Sequence, residues 1–222
     1  MKISIALLTF NQFLTGRRNL FLQTLESIQR EPNHFTLDVV TNGSTDATDK
    51  VVRKLGGIVD NTQTQSWYGF ELAMRAALSR RPDIVVLSAD DITYTPGWMD
   101  KLAAFWAAAP EDIKLATCFL EGLWSWNAVT DAIDVAGLRV LIRDSVPSAS
   151  WTFRASDADL ILPLERIMPG EDLALSTKLR NAGYRLAALD LAEHTGARQS
   201  AWGNRSFEYE QPLDRTKWGL PE

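Results

Sequence analysis

Apolar residues fall along the first 120 positions in two alternating rhythms: short unbroken runs, and longer stretches spaced at three and four residues. The short runs are Ile3 to Leu8, Leu37 to Val40, a weak Ile58-Val59, Ile84 to Leu87 and Leu115 to Phe119. Continuous aliphatic and β-branched runs of this length read as buried, parallel strands. Helical stretches lie between them. Asn19 to Arg30 puts Phe21, Leu25 and Ile28 on one face and stops before Pro32. Asp46 to Leu55 opens with acid and closes at Gly56-Gly57, as dipole and C-cap chemistry favour. A third stretch carries Trp67, Phe70, Met74 and Leu78, and a fourth takes Thr95 as N-cap, Pro96 as first helical residue, and Leu102, Phe105 and Trp106 inward. Such alternation is the pattern of βαβ units around a sheet, an α/β fold.

After Phe119 the alternation breaks down. Residues Leu120 to Ser150 hold Trp124, Trp126, Asp131, Asp134 and the run Leu138 to Ile142. A strand is expected at Trp151 to Arg154, and Asp157 to Ile167 shows no clean period. Pro169-Gly170-Glu171-Asp172 then heads a helix carrying Leu173, Leu175 and Leu179 and capped by Gly183. A strand from Arg185 to Leu189 follows, with Glu193-His194 just beyond it. The polar stretch from Thr195 to Glu222 is expected to pack over the body or meet a partner. No repeat, low-complexity segment or linker interrupts the 222 residues, so the chain reads as a single domain.

Composition narrows the function. A net charge of -5 argues against sequence-independent nucleic-acid binding, which needs a basic stripe. The one cysteine, Cys118, has no intramolecular partner and lies in a core-like run, which points to a cytoplasmic protein. The apolar N-terminus stops at Thr9-Phe10-Asn11-Gln12 without a small-residue cleavage site, so it reads as a first strand rather than a leader. No apolar run approaches the roughly 20 residues of a membrane span.

The candidate chemistry gathers where the strand runs end. Ile84 to Leu87 leads through Ser88-Ala89 into Asp90 and Asp91, and paired carboxylates at the carboxyl edge of an α/β sheet hold a hard cation or simply face solvent. The first strand ends in Thr9-Phe10-Asn11. The second ends in Thr41-Asn42-Gly43-Ser44-Thr45-Asp46, a turn whose backbone donors and short polar side chains suit a ligand as well as a helix cap. Glu171 and Asp172 occupy a helix first turn, where the dipole favours acids and where a carboxylate is also placed to act as a general base. The dipole should keep such a base ionised and therefore weak. His194 follows a strand at the same edge, and His34, beside Pro32-Asn33, reads as surface.

Order and spacing together resemble the family 2 glycosyltransferases of the GT-A fold, over about the first 200 residues. The matching pieces are Ile5-Ala6-Leu7-Leu8-Thr9-Phe10-Asn11, Asn42-Gly43-Ser44-Thr45-Asp46-Ala47-Thr48, Leu87-Ser88-Ala89-Asp90-Asp91, Gly170-Glu171-Asp172-Leu173, Arg180-Asn181-Ala182-Gly183-Tyr184-Arg185, and His194. The resemblance implies a Rossmann-like nucleotide-diphospho-sugar transferase domain with a mixed central sheet. Residues 1–119 would form its nucleotide-binding half, 120–200 its acceptor and catalytic half, and 201–222 a C-terminal tail.

It implies that Phe10 flanks the nucleobase with Thr9 and Asn11 near the nucleotide, that Asn42 faces the base edge, and that Ser44 and Asp46 belong to the supporting turn. Asp90 and Asp91 would meet the ribose and a divalent metal, Mn²⁺ or Mg²⁺, with His194 completing that site. Asp172 would be the base, with Glu171 its acceptor-binding neighbour. Trp124, Trp126 and Trp151 fall where the family recognises acceptors, although tryptophans equally fill core. The implied reaction is inverting, metal-dependent transfer from a nucleotide-sugar donor to a hydroxyl acceptor.

Two departures stand out: Thr41-Asn42 replaces a carboxylate pair, and Ser88 replaces the first acid of Asp-x-Asp-Asp. The family's Arg-Asn in the third helix has no clean match, with Arg75 nearby. The alternatives are a catalytically degenerate nucleotide-sugar binder, and a nucleotidyltransferase, which would ordinarily show a Gly-rich triphosphate loop.

Overall fold

The computed structural model describes residues 1–14, 16–32, 35–63, 65–120, 128–166, 170–195 and 216–220. His34, Trp124 and Trp126 lie outside the described residues. Within them the chain runs β1 (Ile3–Thr9), α1 (Arg18–Gln29), β2 (Phe35–Asn42), α2 (Thr48–Lys54), β3 (Ile58–Asp60), α3 (Ser66–Ser79), β4 (Ile84–Ala89), β5 (Ile92–Tyr94), α4 (Trp98–Ala108) and β6 (Ile113–Phe119). A hairpin of β7 (Val129–Val135) and β8 (Leu138–Arg143) follows. Then come β9 (Trp151–Arg154), the short α5 (Ala158–Ile161), α6 (Glu171–Asn181) and β10 (Arg185–His194).

One mixed sheet takes the order β3-β2-β1-β4-β9-β6-β10-β8-β7, with β5 paired to β10 off that path. Strands β1, β2, β3 and β4 are mutually parallel, whereas β9 runs antiparallel between β4 and β6. Chain order reverses at β1, whose neighbours are β2 on one side and β4 on the other. Such a switch point opens a crevice beyond the carboxyl ends of the strands. Registers of Thr9 with Thr41 and Leu8 with Ala89 bring those ends to a common edge.

The strands divide their side chains between two cores by their period of two. Ile3, Ile5 and Leu7 of β1 join Ile84 and Val86 of β4 against Phe21, Leu25 and Ile28 of α1 and Trp98, Leu102, Phe105 and Trp106 of α4. On the other face Ala6, Val85 and Leu87 meet Ala73, Met74 and Ala77 of α3 and Leu175 and Leu179 of α6. Trp151 is core, fully buried in β9, with its indole N–H donating to the Val146 carbonyl at 3.1 Å. It presents no open face to an acceptor, which corrects that part of the sequence reading.

Helix α4 also starts differently from expectation. Its N-cap is Gly97 in the left-handed region at φ 74°, because the Thr95 N–H and hydroxyl are both bound to the Leu191 carbonyl of β10. Its far end is closed by Arg154, whose guanidinium donates to the carbonyls of Trp106 and Ala109 at 3.1 and 2.8 Å, where a cation also complements the dipole. Of the C-terminal stretch, Leu220 docks against Leu120, Leu141 and Ala188. No described helix is long and apolar enough to cross a membrane.

Candidate active site

The loop after β1 is laced to the turn after β2. Asn11, held at φ 45°, donates its N–H to Ser44 Oγ at 3.1 Å and accepts the Thr45 N–H on its Oδ1 at 2.7 Å. Ser44 in turn shares a hydrogen bond with Thr41 Oγ1 at 2.7 Å. Asp46 collects the N–H groups of Phe13, Leu14 and Thr48 at 2.9, 2.9 and 2.8 Å. Burial pushes its carboxyl up, but the Thr48 hydroxyl and those N–H donors outweigh it and hold it below its ordinary value. Asp46 thus braces the loop after β1 against the turn after β2, and Phe10 is 36% exposed at the crevice.

Asp90 and Asp91 are not solvated loop acids. They are 6% and 5% exposed, in the tight reversal between β4 and β5. Strand β5, which is not among the runs that predict strands, pairs antiparallel with the end of β10 in a register of Ile92 with His194. That pairing extends β10 through His194, so the histidine is the last residue of the strand rather than a residue after it. Its Nε2 lies 3.2 Å from Asp91 Oδ2, and the Thr195 hydroxyl donates to the Asp91 carbonyl at 2.9 Å. Phe119 closes the ring's other side at 5.3 Å.

Two residues that the sequence reading missed complete this cluster. Gln12 donates its amide to Asp90 Oδ2, which also takes the Phe10 N–H at 3.3 Å. Arg17 spans both acids, with one guanidinium nitrogen against Asp91 Oδ2 and 3.2 Å from Asp90 Oδ1. Burial, with Asp91 adjacent, drives the Asp90 carboxyl up against the pull of Arg17, whereas His194 and Arg17 hold Asp91 below its ordinary value despite burial. Asp91 is therefore the firmly ionised member. Ser88 is fully buried and bonded to the Ala89 carbonyl at 2.9 Å, so it takes no place among these groups.

The acidic helix reaches this edge through α3. Asn42 donates its amide to the carbonyls of Gln63 and Gln65 at 3.3 and 3.1 Å, pinning the approach to α3 onto the end of β2. Both amide hydrogens are so used, and the residue is 4% exposed, which is a different task from facing a base. The next residue along, Ser66, donates to Glu171 Oε1 at 3.1 Å, and Glu171 Oε2 takes the Gly170 N–H at 3.2 Å. Glu171 thus fastens α6 to α3, while Asp172, partly buried, keeps a carboxyl bonded to the Leu173 N–H at 2.8 Å. Burial, and then repulsion from Glu171, raise Asp172 to about 6, which reverses the expectation of a weak, dipole-lowered base. Arg75 lies on the exposed face of α3, paired with Glu71 at 2.7 Å, away from all these groups.

Carboxylates and an imidazole are a donor set that a divalent cation of the Mn²⁺ or Mg²⁺ kind accepts. Asp91 Oδ1 is buried without any partner, an orphaned acceptor of the kind such an ion satisfies. The residue types therefore fit a metal. As arranged here, though, no three His, Cys, Asp or Glu among the described residues converge on one point, and Arg17 is paired with both acids.

A switch-point crevice floored by an acid pair, with a carboxylate-headed helix beside it, defines the GT-A class of nucleotide-sugar folds. The chain belongs to glycosyl transferase family 2, whose sequence profile matches residues 4–123. Solved structures share the fold. S. aureus TarS 1-349 is 15% identical, with 90% of this chain covering 62% of it at a TM-score of 0.60. The mannosyltransferase PcManGT from Pyrobaculum calidifontis, in complex with GDP-Man and Mn²⁺, is 16% identical, with coverage of 92% and 58% and a TM-score of 0.57. GalNAc-T7 with UDP, GalNAc and Mn²⁺ is 10% identical, with coverage of 86% and 43% and a TM-score of 0.62. The chain thus spans less than two thirds of the length of each. Among curated protein sequences no relative matches.

Proposed function

We propose that this chain is a metal-dependent, inverting glycosyltransferase that moves a sugar from a nucleotide-diphosphate sugar to a hydroxyl acceptor. The observation that carries the reading is a carboxylate, Asp172, at the head of a helix tied through Glu171, Ser66 and Asn42 to the sheet edge that holds Asp90, Asp91 and His194. The GDP-Man, UDP and Mn²⁺ complexes of the neighbouring folds support a nucleotide-sugar donor and a divalent ion here.

Asp90, Asp91 and His194 would hold the ion, which when bound supplies Lewis-acid stabilisation to the departing diphosphate. Phe10 flanks the base, and the laced loop of Asn11, Ser44 and Asp46 sets the floor on which the nucleotide lies, with Thr9 buried beneath it. Asp172 accepts the proton of the acceptor hydroxyl as that oxygen attacks the anomeric carbon from the face opposite the diphosphate. The bond to the phosphate oxygen breaks, its electron pair leaves with the nucleoside diphosphate, and the anomeric configuration inverts. A base near 6 is deprotonated at neutral pH yet strong enough to draw a hydroxyl proton in the transition state. Glu171 keeps the helix, and so the base, in place.

The test is a panel of UDP-, GDP- and TDP-sugars read by nucleotide release, with and without Mn²⁺, and with the product anomer assigned by NMR. Release that needs Mn²⁺ and gives the inverted anomer supports the proposal. Retention of configuration, or turnover unchanged by a chelator, overturns the corresponding part. Binding of donor with no release at all favours a degenerate nucleotide-sugar binder, a reading kept in view by Arg17 lying across the acid pair.

A further inference from the structure

We infer that Arg17 is the resident counter-ion of the acid pair, held where the divalent ion binds, so that metal loads only by displacing it. The inference rests on the metal reading of Asp90, Asp91 and His194. Three observations carry it.

The first is position. Arg17 stands at the N-cap of α1, with Arg18 beside it and no acid in the helix's first turn. A cation there opposes the helix dipole, so its burial at 8% exposure needs compensation from elsewhere. Asp90 and Asp91 are the carboxylates that provide it.

The second is incompleteness. Arginine pairs best with carboxylate as a fork, through two parallel N–H bonds. Here a single guanidinium nitrogen serves both acids, while Arg17 Nε and Asp91 Oδ1 are each buried with no partner. An ion pair built only for stability would match those two orphans. The arrangement instead leaves Asp91 one acceptor that no group in the described chain fills.

The third is release. Arg17 lies on the loop after β1, whose preceding residue, Gly16, takes φ 70° and meets no atom within 4 Å of an added Cβ. The body of α1 is fixed separately, by Phe21, Leu25 and Ile28 in the core, so the anchoring of the helix does not depend on where the Arg17 side chain lies.

Competition of this kind makes the ion's affinity a difference between two occupants. Titration calorimetry of Mn²⁺ into the metal-free full chain and into Arg17→Gln, with thermal unfolding of each, reads it. Arg17→Gln should bind Mn²⁺ roughly tenfold or more tightly, since the competing cation is gone. Its metal-free melting temperature should fall by roughly 5–10 °C, because two buried acids lose their counter-ion, and saturating Mn²⁺ should restore most of the loss. If Arg17→Gln does not fold, Arg17→Lys takes over the test: it keeps the charge but not the reach to both acids, and it too should bind Mn²⁺ more tightly than the parent. Equal or weaker Mn²⁺ binding by the variant overturns the displacement idea and leaves the metal site standing. Failure of parent and variant alike to bind Mn²⁺ or Mg²⁺ overturns the metal reading and the inference with it.

Discussion

Replacing Asp172 by Asn should cost the protein its turnover and make it more stable. The carboxyl is raised from its ordinary 3.8 to about 6, first by burial and then by Glu171. Between those values the folded chain binds the proton that the unfolded chain releases, so stability falls as pH rises from about 4 to about 6 and the whole penalty is present above that. The rise corresponds to about 3 kcal/mol, and partial exposure of the residue trims this to roughly 2–3 kcal/mol. Asparagine is never charged and its Oδ1 can still accept the Leu173 N–H, so the variant escapes the penalty without losing that bond. For a chain of this size the gain is roughly 4–10 °C in melting temperature at about pH 8, shrinking by about half near pH 5. Turnover should drop by roughly 10²–10⁴ with donor affinity retained, the range for losing a positioned base. Parallel denaturation curves at the two pH values and nucleotide-release kinetics test both halves. Near-normal turnover refutes the base assignment, and a stability change independent of pH refutes the claim that a buried charge is being relieved.

Other consequences are local. In the parent protein kcat/KM should rise with pH through about 6 and then level, because a base at Asp172 would have to be deprotonated to act, and a profile flat from pH 5 upward would count against it. Asp46→Ala removes the acceptor for three backbone N–H groups and should lower stability by about 2 kcal/mol and loosen donor binding, measured by denaturation and by nucleotide titration. Gly69→Ala should cost roughly 1–3 kcal/mol, since its Cβ would run into the Asn42 amide that holds the start of α3; unchanged stability would mean that α3 does not rest on Asn42. Cys118, fully buried with its thiol pushed up to about 12, should resist alkylation until the chain unfolds. Rapid labelling of the native protein would contradict that burial.

The legible parts of the fold were those where one local signal sufficed. Strands β1, β2 and β4 and helices α1 and α3 each carry a run or period that only one element satisfies, and all are present within a residue or two of expectation. The β7-β8 hairpin escaped because its two-residue turn, Ala136-Gly137, takes φ 50° and 79° with Ala where Asn or Asp ordinarily signals the turn. Strand β5 escaped for a stronger reason. Three residues, Ile92, Thr93 and Tyr94, have no periodicity, and they are a strand only because the end of β10, about a hundred positions on, pairs with them.

That same long-range pairing is what turns a sequence motif into a site. Strand β10 shifts register against β6 between Ala188 and Ala192, and its first part pairs with β8 and β6 while its last residues pair with β5. Beyond the shift His194 stands opposite Ile92, with its Nε2 3.2 Å from Asp91 Oδ2. Asp90 and Asp91 could be read from the chain because carboxylates ending an apolar run are conspicuous. Arg17 could not, since nothing in Gly16-Arg17-Arg18 distinguishes a residue that will be buried against those acids from two solvated cations at the mouth of a helix. The sequence names the groups that carry charge, and the fold decides which of them neutralise one another. Here that decision sets Arg17 against the acid pair, and Asp91 keeps one oxygen that the pairing leaves unfilled.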